Sequence, residues 1–291
     1  VKIDTQTQLC AVIGNPVAHS LSPAIHNAAF EATGLNYAYV AFCVEDLPAC
    51  LAGMRALPSF RGLSVTIPHK IAIIDLLDEI EPMARRIGSV NTVTNEAGHL
   101  AGSSTDGPGT LRAFEKAGIG LRGKRVLFLG SGGAVRAVAF AMAESSEAEA
   151  ITILGRTPAR VERLVGDLRE STRAPIKSGD IAADLETAVA AHDVLVQGTP
   201  VGMFGHDEAR SCVPAEFLRP GLAVFDMVYR PLRTQLIRDA EAAGCPTLLG
   251  LEMLVNQAAL QFETWTGAEA PRDIMRETLL GELSAKERAH N

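Results

Sequence analysis

The sequence lacks any apolar run near the roughly 18 residues that a membrane-spanning helix requires, so no helical bilayer protein is expected. It also lacks a basic excess: 27 Lys and Arg stand against 34 Asp and Glu, a net charge of -7. A nucleic-acid binder needs a cationic face to neutralise phosphates, so that class is excluded. The five cysteines, Cys10, Cys43, Cys50, Cys212 and Cys245, include no CxxC pair and no histidine at ligand spacing. They read as reduced, mostly buried thiols in a cytoplasmic chain, with no disulfide frame and no metal site. Val1 to Gln6 has neither the basic nor the apolar region of a secretory signal, which also points to the cytoplasm. The absent initiator Met is read as processing or trimming. Repeats and low-complexity linkers are missing too.

The chain alternates short β-rich runs with helical stretches. Strands are predicted over 9–14, 37–44, 62–66, 89–94, 125–130, 150–154, 194–197 and 223–226. Several are continuous apolar runs, such as Val126-Leu127-Phe128-Leu129, which suits strands buried on both faces of a parallel sheet. Helices are predicted over 158–168, where Val161, Leu164, Val165 and Leu168 share a face, and over 232–243, 250–267 and 271–287. Residues 91–94 and 99–102 form a candidate hairpin around Asn95-Glu96-Ala97-Gly98, with Gly98 supplying a positive φ. The class is therefore α/β. A domain break is expected in Thr105-Asp106-Gly107-Pro108-Gly109, giving a first domain over 1–106, completed by the helices of 250–291, and a second over 107–249.

Gly130-Ser131-Gly132-Gly133-Ala134 joins an apolar strand to a helix-forming run. Glycines there let the backbone approach a pyrophosphate, and the helix start offers free N–H groups and a positive dipole end. The third glycine of GxGxxG is replaced by Val135, and such a turn also occurs without any ligand. The next strand ends in Gly155-Arg156-Thr157, with Arg160 one turn on, where an NAD site would carry a carboxylate about 20 residues after the glycines. Two guanidiniums and a hydroxyl suit a ribose 2′-phosphate, so NADP is the favoured dinucleotide. The ordinary alternative is a solvated basic helix start, which the helix dipole disfavours.

Lys70 lies in Ser64-Val65-Thr66-Ile67-Pro68-His69-Lys70, with Pro68 placed to start a helix. Most lysines are solvated, but one with a neighbour and partial burial serves as a general acid or base. The candidate neighbour is Asp106, whose ordinary role would be a helix cap. Ser20 and Ser22 precede a helix and suit either a carboxylate or a cap. Asn91 is a polar residue in a strand-like run.

These blocks, in chain order, together with Gly198-Thr199-Pro200-Val201-Gly202-Met203, Asp226-Met227-Val228-Tyr229 and Gly250-Leu251-Glu252-Met253-Leu254-Val255-Asn256-Gln257-Ala258, resemble the shikimate dehydrogenase family. The resemblance spans about residues 9 to 267. It implies an N-terminal α/β substrate domain and a C-terminal Rossmann-type NADP domain, with a cleft between them. It implies further that Ser20 and Ser22 bind the substrate carboxylate, that Thr66, Asn91, Asp106 and Gln257 contact ring hydroxyls, and that Lys70 and Asp106 transfer the proton. Thr199, Met203, Tyr229, Gly250 and Met253 are then expected along the nicotinamide and substrate side, with Tyr229 toward substrate. The implied activity is reversible NADPH-dependent reduction of 3-dehydroshikimate to shikimate, in aromatic amino acid (chorismate) biosynthesis. A small-molecule substrate is the expected partner, without nucleic acid or membrane; a homodimer stays open.

Three residues depart from the family pattern: Ser64, Ser104 and Gly155 stand where asparagine is usual. A serine keeps a donor and an acceptor but reaches less far. The rival readings are a quinate/shikimate or aminoshikimate dehydrogenase, a metabolite-binding regulator that kept the fold without the chemistry, and a structural module. The acid-base pair argues against the regulator, and two clustered ligand sites argue against the structural module.

Overall fold

A computed structural model describes residues 3–145 and 147–288. Val1, Lys2 and residues 289–291, counted above into the first domain, lie outside the described residues. By internal contacts the chain divides into two compact units. The first runs to Gly109 and resumes at Val255; the second covers Thr110–Leu254.

The first unit contains β1 (Gln8–Gly14), α1 (Ser22–Thr33), β2 (Tyr37–Cys43), α2 (Leu47–Arg55), β3 (Phe60–Val65), α3 (His69–Ala72), β4 (Glu79–Ile80), α4 (Pro82–Ile87), β5 (Thr92–Glu96) and β6 (His99–Ser103). α5 (Asp106–Lys116) then carries the chain into the second unit. The first sheet has the order β2-β1-β3-β5-β6-β4. β1 runs parallel to β2 and β3, whereas β5 is antiparallel to both β3 and β6. Ala11, Ile13, Leu63, Val65 and Val93 pack with Leu47, Leu51 and Met54 of α2 in one buried cluster.

The β5–β6 hairpin is tighter than the sequence suggested. Its loop is only Ala97-Gly98, with φ of 52° and 91°, the double positive φ that two-residue hairpin loops require. Ser89 to Asn91, expected as strand, precede β5. Their backbone is used otherwise, with Val90 N–H donating to Lys70 O at 2.9 Å.

The second unit contains β7 (Arg125–Leu129), α6 (Gly133–Ser145), β8 (Ala150–Gly155), α7 (Pro158–Arg169), β9 (Ile176–Asp180), α8 (Ile181–Ala191), β10 (Val194–Gln197), β11 (Ala223–Asp226), α9 (Gln235–Ala242) and β12 (Thr247–Leu249). α10 (Gly250–Thr266) begins here and returns the chain to the first unit, followed there by α11 (Arg272–Arg288). The strands are all parallel in the order β12-β11-β10-β7-β8-β9. This is the doubly wound dinucleotide-binding order, reversing direction between β7 and β10. Leu127, Leu129, Leu195 and Val224 pack with Val189 of α8 and Leu236 and Ile237 of α9. Val126, Phe128, Val196 and Phe225 alternate with them and are equally buried, so both sheet faces are covered.

The cysteines differ from expectation. All five are free, but only Cys10 and Cys245 are fully buried, and Cys43, at the end of edge strand β2, is exposed. Among the described residues, no helix is long and apolar enough to cross a membrane, and no group of three His, Cys, Asp or Glu side chains is placed to hold a metal ion.

Candidate active site

The polar constellation of the first unit grows from two strand ends. β3 leads through Thr66-Ile67-Pro68 into the single turn of α3. His69, buried, bonds through Nε2 to Val44 O at 2.9 Å and anchors that turn. Lys70 is thereby held with its Nζ 2.7 Å from Asp106 Oδ2. The side chains are 28% and 12% exposed, so the pair is largely withdrawn from water. Asp106 is the first residue of α5, where the helix dipole favours a carboxylate.

Asn91 supports the second carboxylate oxygen. Its Nδ2 donates to Asp106 Oδ1 at 2.8 Å, and its Oδ1 accepts from Thr105 N–H at 2.8 Å. Gln257 on α10 joins the cluster, its Oε1 accepting from Asn91 Nδ2 at 3.4 Å and from Thr105 Oγ1 at 3.5 Å. Thr66 is partly buried at the exit of β3, its N–H donating to Ile13 O at 2.9 Å. Ser22 opens α1, and its N–H donates to Ser20 Oγ at 3.3 Å. Both serines are partly exposed at a helix N-terminus. The sequence reading did not single out Gln261 or Thr92. Gln261 sits one turn beyond Gln257 in a helix whose neighbours Ala258, Ala259 and Phe262 are buried apolar residues. A second amide at i+4 on such a face was the available signal.

In the second unit, β7 delivers Gly130 with φ of 104°, which a side chain would resist. A Cβ at Gly130 would also stand 3.1 Å from Gly198 O, whereas Gly132 and Gly133 face open space. Ser131 is half-buried and Ala134 exposed. α6 starts at Gly133, so its free N–H groups border that space. Val135, in place of the third glycine, is fully buried, and a Cβ on Gly198 would meet its Cγ2 at 2.2 Å. The close helix–strand approach that the third glycine usually provides is supplied here by Gly198 from the other side. Arg156, Thr157 and Arg160 are exposed at the β8–α7 junction, and neither arginine forms an ion pair among the described residues. Open glycines, a helix start and two uncommitted guanidiniums fit a dinucleotide carrying a 2′-phosphate.

Buried Gln197 shapes the following loop. Its Oε1 accepts from Thr199 N–H at 2.8 Å, and its Nε2 donates to Thr199 O and Val201 O. Met203 closes the loop with its N–H on Pro200 O at 3.1 Å. Gly250 begins α10 so close to β11's exit that a Cβ would lie 2.6 Å from Val228 O. Met253 is partly buried one turn on, and Tyr229 is 42% exposed. Asp226, with no exposed surface, accepts from Thr234 Oγ1 at 2.6 Å and from Val228 N–H at 3.0 Å. Burial raises its pKa to about 6 despite those bonds.

Three family descriptions match the chain. "Shikimate dehydrogenase substrate binding domain" covers residues 12–93, "Shikimate / quinate 5-dehydrogenase" residues 112–204, and "Shikimate 5'-dehydrogenase C-terminal domain" residues 250–280. A relative from Moorella thermoacetica, named shikimate dehydrogenase (NADP(+)), is 44% identical over 98% of this chain and 97% of its own. The crystal structure of shikimate 5-dehydrogenase from Listeria monocytogenes with shikimate and NAD superposes with a TM-score of 0.91 at 38% identity, covering 96% of this chain and 98% of that one. The Thermus thermophilus enzyme with NADP(H) and shikimate gives 0.83 at 39% identity over 94% and 98%.

Proposed function

The chain belongs to the shikimate dehydrogenase family, and from that premise we propose that it catalyses the reversible NADP-dependent interconversion of shikimate and 3-dehydroshikimate. The observation that carries the reading is the partly buried Lys70–Asp106 contact at 2.7 Å, a geometry that suits proton transfer. NADP supplies the hydride acceptor or donor at its nicotinamide C4.

In the oxidative direction the 3-hydroxyl proton passes to Lys70 Nζ, acting from its amine form, as the O–H bond breaks, and the hydride on the same ring carbon leaves for the nicotinamide as that carbon becomes a carbonyl. The ammonium so formed is balanced by Asp106 Oδ2, and Asn91 holds Asp106 from the other oxygen. In reverse, Lys70 Nζ returns the proton to the oxygen that gains charge. Ser20 and Ser22 at the start of α1 receive the substrate carboxylate, and Thr66, Asn91, Asp106 and Gln257 contact ring hydroxyls. Gly130, Ser131, Gly132, Gly133 and Ala134 receive the pyrophosphate, and Arg156, Thr157 and Arg160 the 2′-phosphate. Thr199, Met203, Gly250 and Met253 flank the nicotinamide, with Tyr229 toward substrate. The role is a step of aromatic amino acid biosynthesis in the cytoplasm, where five free thiols remain reduced.

The test is absorbance of the reduced nicotinamide with shikimate and NADP, crossed against quinate and NAD. Turnover favouring shikimate and NADP is expected. Preference for quinate or NAD would move the chain to the sister activity, and shikimate binding without turnover would make it a regulator.

A further inference from the structure

A buried hydrogen-bonded line runs from the core of the first unit to Asp106, and each bond in it has a fixed polarity. Asn91 Oδ1 is identified by Thr105 N–H, which can only donate, at 2.8 Å. Thr92 Oγ1 donates its single proton to that same Oδ1 at 2.7 Å, so it must accept from its other neighbour. Besides Thr105 Oγ1 at 3.3 Å, that neighbour is Gln261 Nε2, at 2.9 Å, which also donates to Asn91 O at 3.1 Å. A carbonyl only accepts, so the Gln261 amide has one orientation, with Oε1 toward Ser64 Oγ at 2.7 Å. Ser64 therefore donates there and accepts from Tyr39 OH at 2.6 Å. Burial pushes the Tyr39 phenol well up, so it keeps its proton. The ring stacked on it, His26 at 4.4 Å, is held neutral by its own burial, which lowers its pKa to about 3.

We infer that Gln261 is a positioning residue: with Ser64, Thr92 and Tyr39 it forms a one-way relay that, beside the Thr105 N–H, holds the Asn91 amide so that its N–H points at Asp106. Tyr39, Ser64, Gln261, Thr92 and Asn91 are all at most 6% exposed, so no water competes for these bonds. Every donor points toward Asp106, which makes the bonds mutually reinforcing. The relay also accounts for Ser64, whose short hydroxyl reaches Asn91 only through the longer Gln261 amide. This inference rests on the proposed Lys70–Asp106 chemistry for its effect on rate, but its structural content is independent of that chemistry.

The test compares Gln261→Met, which keeps volume without hydrogen bonds, with Ser64→Ala and its hydroxyl-retaining counterpart Ser64→Thr. Tyr39→Phe, removing one hydroxyl at the far end, serves if Gln261→Met does not fold. Two readouts are taken: exchange protection of the Asn91 side-chain amide protons by NMR, and kcat for shikimate oxidation with KM for NADP. Gln261→Met and Ser64→Ala are expected to lose the Asn91 protection and to lower kcat, about tenfold for Gln261→Met, with KM for NADP unchanged. Ser64→Thr should behave as the parent, and Tyr39→Phe should weaken the protection partially. Protection unchanged in Gln261→Met, or in Tyr39→Phe where that variant stands in, would overturn the relay. Lost protection with unchanged kcat would overturn the positioning role. An Asp106→Asn variant run alongside separates these from failure of the acid-base reading, because the NMR result does not depend on turnover.

Discussion

Lys70 and Asp106 are 36 positions apart in sequence and 2.7 Å apart in space, joined Nζ to Oδ2 at the start of two different helices. One oxygen of the carboxylate faces Lys70 Nζ and the other accepts from Asn91. Removing either member takes away this contact in a site largely shielded from water.

Lys70→Ala and Asp106→Asn are each expected to lower kcat by about 10³-fold, in the range of a positioned acid-base group. The double variant should lose little more than the worse single, because the two act as a unit. Steady-state kinetics with shikimate affinity measured separately by calorimetry checks this. Losses that multiply would mean two independent roles.

Arg156 and Arg160 stand exposed and uncommitted at the β8–α7 junction. Substituting Arg156 by Ala should raise KM for NADP by roughly ten- to a hundredfold, the worth of a charge-assisted bond to phosphate. KM for NAD, which lacks the 2′-phosphate, should barely move. Equal changes for both cofactors would refute the assignment of this corner to the phosphate.

Gly155 stands where the family resemblance leads one to expect asparagine, and its surroundings leave no room for a side chain. A Cβ at this buried position would lie 2.7 Å from Val161 Cγ2 on α7. Gly155→Asn is therefore expected to destabilise the fold by about 1–3 kcal/mol through overpacking. Adding Val161→Ala should recover part of that loss, so the pair would be more stable than the summed singles predict. Thermal unfolding of the four proteins decides it; strict additivity would place the strain elsewhere.

Asp226 gives a pH dependence whose sign follows from its burial. Its pKa rises from 3.8 to about 6 on folding, so between those values the folded chain holds a proton that the unfolded chain has released. Its contribution is greatest below pH 4, falls as pH rises toward 6 and is lost above, a change on the order of 3 kcal/mol. Asp226→Asn should flatten this part of the stability–pH curve between pH 4 and 7. A curve unchanged by the substitution would assign the slope to other groups.

Local features are legible in the order of the residues alone. Continuous apolar runs marked β7, β8, β10 and β11 because strands buried on both faces need no polar alternation. The glycines after β7 and the arginines after β8 were legible for the same reason, since their meaning depends on the adjoining strand and helix. β4, β9 and β12 escaped notice: each lies at a sheet edge, and β9 reads Ile176-Lys177-Ser178-Gly179-Asp180 with its lysine and serine exposed. An edge strand is held by backbone pairing to one neighbour, which imposes little on its side chains. The motif order put Lys70 beside Asp106 as candidates, but only the folded chain decided their contact and what surrounds them. Gln261 lies 170 positions from the Asn91 carbonyl it binds and 197 from Ser64. Hydropathy patterning records whether a residue is buried, and a buried amide on a helix face leaves no mark of its partner. Which donor meets which acceptor is set when α10 packs across the first sheet, where unpaired polar groups would be too costly to leave unsatisfied.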